Sequence, residues 1–178
     1  MRKSIYIQCI AQAGCFVPAK YAKVSIRDKI IMREKGTGDD ISAFQQDCIS
    51  ANETTPNNKE YQLIAMDETF TSTEKKGGEA LTAGIINHTL DQKNSLLIIS
   101  SHYINLHKNN LKNNKVKFNH FDFEIGSNRD NDGIYLNFNH KKLPGQLNNY
   151  TYAIIFAESE KFDTEIIQYA KERLKEKI

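Results

Sequence analysis

Apolar positions change period several times along the chain, and each change marks an element. Residues 4–15 fit a helix that ends near Gly14, ahead of Phe16-Val17-Pro18-Ala19. Val24, Ile26, Ile30 and Met32 then alternate loosely with polar residues, as in a half-buried strand. Gly36-Thr37-Gly38 reads as a turn, and Asp39-Asp40 supplies acidic residues that suit a helix start. The spacing predicts a helix from Ile41 to about Glu53, followed by a polar loop from Asn52 to Asn58 that holds Pro56.

Two short apolar runs come next. Tyr61–Met66 is stopped abruptly by Asp67-Glu68, and Leu96–Ile99 is stopped by Ser100-Ser101. Between them, Gly77-Gly78 precedes a helix carrying Leu81, Ile85 and Leu90. Fully apolar strands separated by a helix predict an α/β fold with a parallel sheet covered on both faces. The period then falls to two. Phe121, Phe123 and Ile125 alternate, as do Ile134, Leu136 and Phe138, and Asp132-Gly133 between them predicts an antiparallel hairpin. Residues 147–158 and 163–177 finish the chain as two helices, the last with Ile166, Ile167, Ala170 and Leu174 on one side.

Composition sets bounds on this picture. The 178 residues are 39% hydrophobic and 26% charged, enough for one domain with a sizeable core and unlike a disordered or fibrous chain. Lys plus Arg is 24 against 22 Asp plus Glu, a formal charge of +2. That balance gives no electrostatic case for wholesale nucleic-acid or membrane binding. Cys9, Cys15 and Cys48 form neither an even set nor a CxxC pair, which fits a reducing, intracellular setting better than a disulfide framework or a zinc site. No apolar run approaches the roughly 18 residues of a membrane span. The start imitates a signal peptide, with Arg2-Lys3, Ile5-Tyr6-Ile7 and Ala13-Gly14-Cys15, but Gln8 and Gln12 interrupt the apolar stretch.

Three places carry candidate chemistry. Leu63–Met66 followed by Asp67-Glu68 is the sharpest, four apolar residues and then two carboxylates. In nucleotide hydrolases such a strand aims an Asp at Mg²⁺ while the next Glu polarises the attacking water. Adjacent side chains on a strand point to opposite faces, so both serve one site only at the strand's end. The second is Ile98-Ile99-Ser100-Ser101-His102-Tyr103, where His102 just past a buried strand can reach a phosphate bound at the carboxyl ends of the sheet. The third is Lys3-Ser4, which matches only the last two positions of a phosphate-binding G-x-x-x-x-G-K-[ST] loop. Other apparent sites weaken. Asn128, Asp130, Asp132 and Gly133 open like a calcium loop, but its twelfth position is Asn139 where a bidentate Glu is required. His102 and His107 are spaced wrongly for one helical face, and His88, His120 and His140 are scattered.

Taken in order, these segments resemble the carboxy-terminal ABC-type ATPase domain of the MutS family of DNA mismatch repair proteins. Lys3-Ser4-Ile5-Tyr6 resembles the end of the family's phosphate loop (Walker A), and Phe16-Val17-Pro18-Ala19 its Y-V-P-A segment. Ile26-Arg27-Asp28-Lys29-Ile30 is similar to the strand beginning I-x-D-R-I, and Gly38–Ile41 with Ser42-Ala43-Phe44 to the signature region. Leu63–Glu68 resembles the Walker B strand, and Thr69–Gly78 the D-loop stretch after it. Ser100-Ser101-His102-Tyr103 is similar to A-T-H-Y, which carries the switch histidine. His120-Phe121, Leu143-Pro144-Gly145 and the ending from Phe162-Asp163 to Ala170 resemble the family's later strands, its L-x-P-G segment and its closing helix.

The resemblance implies a P-loop NTPase fold over residues 1–178 as a single domain, a mostly parallel sheet flanked by helices with an antiparallel hairpin and carboxy-terminal helices. It implies ATP and Mg²⁺ as ligands. Lys3 would contact the β- and γ-phosphates, Ser4 and Asp67 would hold Mg²⁺, Glu68 would be the general base and His102 would sense the γ-phosphate. Ser42 would face the nucleotide of a partner subunit in a homo- or heterodimer, and upstream domains would grip mismatched double-stranded DNA. The departures are equally specific. The sequence enters the pattern inside the phosphate loop, without the preceding strand and glycines, and Arg2 stands where a Gly is expected. The signature loop before Ser42 is short, Asp47 stands where the family usually has Glu, and Thr71-Ser72-Thr73 replaces R-G-T. These departures support an alternative: a truncated or degenerate ATPase fold that acts as a dimerisation or interaction module without turnover. A related ATPase for another DNA-maintenance task is a third reading.

Overall fold

The computed structural model describes residues 1–33, 42–103, 105–106, 111, 115–121, 124–128, 133–138, 140–145 and 152–175. The predicted turn at Gly36-Thr37-Gly38, the acidic pair Asp39-Asp40, Ile41, His107, Phe123 and Asp132 lie outside them. Contacts divide the chain into two compact units, Met1–Lys115 and Val116–Ile178.

In the first unit, α1 (Arg2–Gln12) is followed by an irregular segment before β1 (Lys29–Arg33). The predicted strand is thus much shorter than the alternation of Val24 to Met32 suggests, because the segment's backbone finds other partners. Gln8 Nε2 donates to the Ser25 carbonyl at 2.9 Å and to Gln12 Oε1 at 2.6 Å. Gln12 takes both backbone groups of Arg27, donating to its carbonyl at 3.1 Å and accepting from its N–H at 2.8 Å. Two glutamines one helical turn apart therefore strap residues 25–27 to α1 and occupy the Ser25 carbonyl and both backbone groups of Arg27. Val24 and Ile26 stay exposed.

β1, β2 (Gln62–Asp67) and β3 (Ser95–Ser100) form a parallel sheet in that order, with Lys29 opposite Gln62 and Gln62 opposite Ser95. As the central strand, β2 is the core: Leu63 is 4% exposed and Ile64, Ala65 and Met66 are 0% exposed. Ile5 of α1 packs on Leu63 and Ala65, joined by Met1, Ile30, Met32 and Ile98. By the two-residue period, Ile64 and Met66 face the other way and are equally dry, so both faces of β2 are covered. β3 lies at the sheet edge among the described strands, and Leu96 is exposed.

α2 (Ala43–Glu53) starts two residues later than the predicted Ile41, since the Ser42 hydroxyl accepts from the Gln45 N–H at 3.1 Å as an N-cap. α3 (Lys75–Asp91) packs against β3 and takes Gly77 and Gly78 inside its first turns instead of starting after them.

In the second unit the alternating stretch divides between two small antiparallel sheets. β4 (Asn119–Phe121) pairs with β7 (Lys142–Pro144), whereas β5 (Glu124–Asn128) and β6 (Gly133–Asn137) form the expected hairpin. α4 (Tyr152–Ser159) packs on β6, and α5 (Thr164–Lys175) packs on α4, where Lys171 pairs with Glu158. Of the predicted apolar side of α5, Ile167 is buried and Ala170 half-buried, but Ile166 and Leu174 are exposed. The three cysteines are free and exposed. Among the described residues no helix is long and apolar enough to cross a membrane.

Candidate functional site

β2 ends at Asp67, opposite Ser100 at the end of β3. The Ser100 hydroxyl donates to Asp67 Oδ1, and the Glu68 N–H is shared between the Ser100 carbonyl at 3.2 Å and its Oγ at 3.3 Å. Glu68 has left strand geometry: its φ is +48°, a left-handed conformation rare for a non-glycine residue. This bend solves the problem that strand alternation poses, since Glu68 no longer has to point away from Asp67. Glu68 Oε1 meets His102 Nε2 at 2.7 Å, across the two segments that leave β2 and β3. The carboxyl ends of two parallel strands thus present two carboxylates, a hydroxyl and an imidazole. Glu68 and His102 keep 43% and 68% of their side chains open, so the pair is accessible to a ligand.

Beneath this exposed pair lies a buried polar group. Asp47, 3% exposed in the middle of α2, pairs with Arg33 at 2.5 Å and accepts from the Phe70 N–H at 3.0 Å and from Ser72 Oγ at 3.4 Å. Phe70, again left-handed at φ +60°, has its ring near the Arg33 guanidinium and edge-on to Phe44. Its carbonyl accepts from the Tyr103 hydroxyl at 2.5 Å. Burial pushes the Tyr103 phenol up from its ordinary value, and the negative charges of Asp47, Glu79 and Glu74 push the same way.

The structure therefore brings Asp67, Glu68 and His102 together. Lys3 and Ser4 stand exposed on the first turn of α1, the helix that Ile5 anchors on β2. Ser42 is exposed, its oxygen already used to cap α2. Arg33, Phe70 and the role of Asp47 escape a reading by periodicity. One signal was available: Asp47 lies four residues before the buried Ala51, on the inward face of α2. The Phe44, Pro56, Gly77, Leu81, Gly84 and His88 side of α2 and α3 forms a groove of about 730 Å³ that does not include the acidic pair.

The donors that meet where β2 and β3 end, the Asp67 carboxylate and the Ser100 hydroxyl, are oxygens, the donor type that a hard cation such as Mg²⁺ takes together with water and phosphate oxygens. Among the described residues no group of three or more His, Cys, Asp and Glu forms a metal cluster.

The family model of MutS domain V matches residues 1–177. The chain is 30% identical over 178 aligned residues to the DNA mismatch repair protein MutS of Caldanaerobacter subterraneus subsp. tengcongensis, covering 98% of the chain and 20% of that protein. It is 29% identical over 178 residues to MutS of Carboxydothermus hydrogenoformans, with 98% and 20% covered. Against MutS of Bacillus cytotoxicus the identity is 36% over 107 residues, 58% of the chain and 12% of that protein. The chain thus spans about a fifth of the length of the first two relatives.

Proposed function

Because the chain belongs to the MutS family and matches its domain V along nearly its whole length, we propose that it is the ATPase portion of a DNA mismatch repair protein. The observation that carries this reading is the meeting of Asp67, Glu68 and His102 where β2 and β3 end. Ligands of open α/β sheets bind at such carboxyl ends. Both compact units are assigned to this one domain.

In this reading the Glu68 carboxylate takes the proton of the water that attacks the γ-phosphorus, and ADP leaves with the bridging oxygen. His102, hydrogen-bonded to that carboxylate, orients it and offers an N–H to the γ-phosphate when protonated. Lys3 supplies a positive charge to the β- and γ-phosphates. Asp67 and Ser4 are the residues that would hold Mg²⁺, which when bound neutralises charge on the phosphates. Ser42 keeps its hydroxyl hydrogen free while its oxygen caps α2, so it can still donate to the nucleotide of a second subunit in a dimer.

The cycle of ATP binding and hydrolysis would drive a dimeric clamp on mismatched double-stranded DNA inside the cell. The near-neutral charge fits a motor domain whose DNA-gripping parts lie in other domains. The test is ATP turnover by the protein expressed with any in-frame upstream sequence. Turnover that Lys3→Ala abolishes supports the assignment, and a rate indifferent to Lys3→Ala contradicts it.

A further inference from the structure

We infer that Tyr103 and Asp47 are positioning residues that hold Glu68 against His102 by fixing Phe70 between them. The need for such a device is visible in the backbone. Glu68 and Phe70 have φ of +48° and +60°, so two of the three residues after β2 sit in the left-handed region, which costs free energy for side chains of this size. A turn of that kind persists only where its surroundings hold it. The Glu68–His102 contact cannot supply the hold, because His102 is exposed and Glu68 only half-buried, and contacts between solvent-open charged or polar side chains contribute little.

Phe70 can, being 2% exposed and gripped on every side. Asp47 takes its N–H at 3.0 Å, and Tyr103 donates to its carbonyl at 2.5 Å. Its ring lies 5.8 Å from the Arg33 guanidinium carbon and 6.3 Å, edge-on, from the Phe44 ring. Tyr103 directly follows His102, and Phe70 follows Glu68 by two residues. The one bond between Tyr103 and Phe70 therefore ties the segment carrying the base to the segment carrying the histidine. Gly78 belongs to the same device. A Cβ at that position would stand 2.0 Å from the Tyr103 oxygen and 2.6 Å from the Phe70 carbonyl oxygen, so only glycine lets α3 close over the clamp.

For its kinetic consequence the clamp rests on the ATPase reading; its structural consequence does not. Tyr103→Phe removes one oxygen and keeps the ring. The His102 ring resonances are recorded at one fixed pH in the unaltered protein, in Tyr103→Phe and in Glu68→Gln, the last marking where His102 resonates without a carboxylate partner. In Tyr103→Phe the His102 signal moves toward its Glu68→Gln position while the signals of His88 and His120 stay. Asp47→Asn, which turns one acceptor of the Phe70 knot into a donor, moves His102 the same way. Where the protein hydrolyses ATP, Tyr103→Phe lowers kcat about tenfold, with KM for ATP changed by less than about twofold, as expected when a base is displaced but the binding surface is not. A His102 signal unmoved in both variants overturns the clamp. Turnover unaffected by Glu68→Gln overturns the role of Glu68 as base instead, and the resonances still decide the clamp.

Discussion

Arg33 Nη2 donates to Asp47 Oδ1 at 2.5 Å with the two side chains only 6% and 5% exposed, so the end of β1 is tied to the middle of α2 by a dry ion pair. Burial pushes the Arg33 guanidinium down from its ordinary value, and the Asp47 charge pulls it back up. Among the described residues Arg33 Nε and Nη1 have no other partner. Asp47→Ala would leave a buried cation without its counter-charge, and the expected loss of stability is about 3–5 kcal/mol. Urea unfolding measures it. The double change Arg33→Met with Asp47→Leu is expected to cost less than Asp47→Ala alone, because it removes both charges together.

Two glycines of α3 should respond oppositely to alanine. At Gly78 the added Cβ meets the Tyr103 oxygen and the Phe70 backbone carbonyl, which cannot swing away, and Gly78→Ala is expected to cost about 1–3 kcal/mol. At Gly84 nothing lies within 4 Å, and Gly84→Ala is expected to add about 0.5–1 kcal/mol through helix propensity. Thermal melting of the two variants side by side checks this, and melting temperatures lowered equally would contradict the packing described at Gly78.

Alkaline stability should depend on Tyr103. Its phenol is raised above the ordinary value of 10.0, first by burial and then by neighbouring negative charges. The folded protein therefore holds this proton more tightly than the unfolded chain does. The resulting stability is complete below pH 10 and is lost as pH rises through the folded value. Unfolding midpoints measured on either side of that point should fall more steeply for the unaltered protein than for Tyr103→Phe. Parallel slopes would show that the phenol is not held as described.

The sheet was legible because β2 and β3 are short apolar runs that stop on polar residues, although only β2 is buried throughout, and β3 at the edge of the described strands is half-buried with Leu96 exposed. The placement of the candidate residues was legible for a related reason: Asp67, Glu68 and His102 sit where those runs end, so finding the strand ends finds them. What was not legible depended on partners distant in sequence. The alternation of Val24 and Ile26 suggested a longer strand, but Gln8 and Gln12, which look like mere interruptions of an apolar helix, claim that backbone. Gly77-Gly78 looked like a helix boundary but lies inside α3, where the Tyr103 hydroxyl occupies the space that a side chain at Gly78 would need. Asp47 looked like a family departure. Its work as acceptor for Arg33 and Phe70 appears only once α2 is laid beside the turn after β2. In β4 to β7, local alternation showed strands but not their pairing, since Phe121 and Ile125 belong to different sheets.

The proposed function turns on Glu68, bent out of β2 and held against His102, as the base for ATP hydrolysis. The direct measurement is single-turnover hydrolysis of bound ATP by the protein expressed with any in-frame upstream sequence, compared with Glu68→Gln. The expected result is ATP bound by both proteins and a rate lower by at least about 100-fold in Glu68→Gln. Equal rates in the two would contradict the assignment.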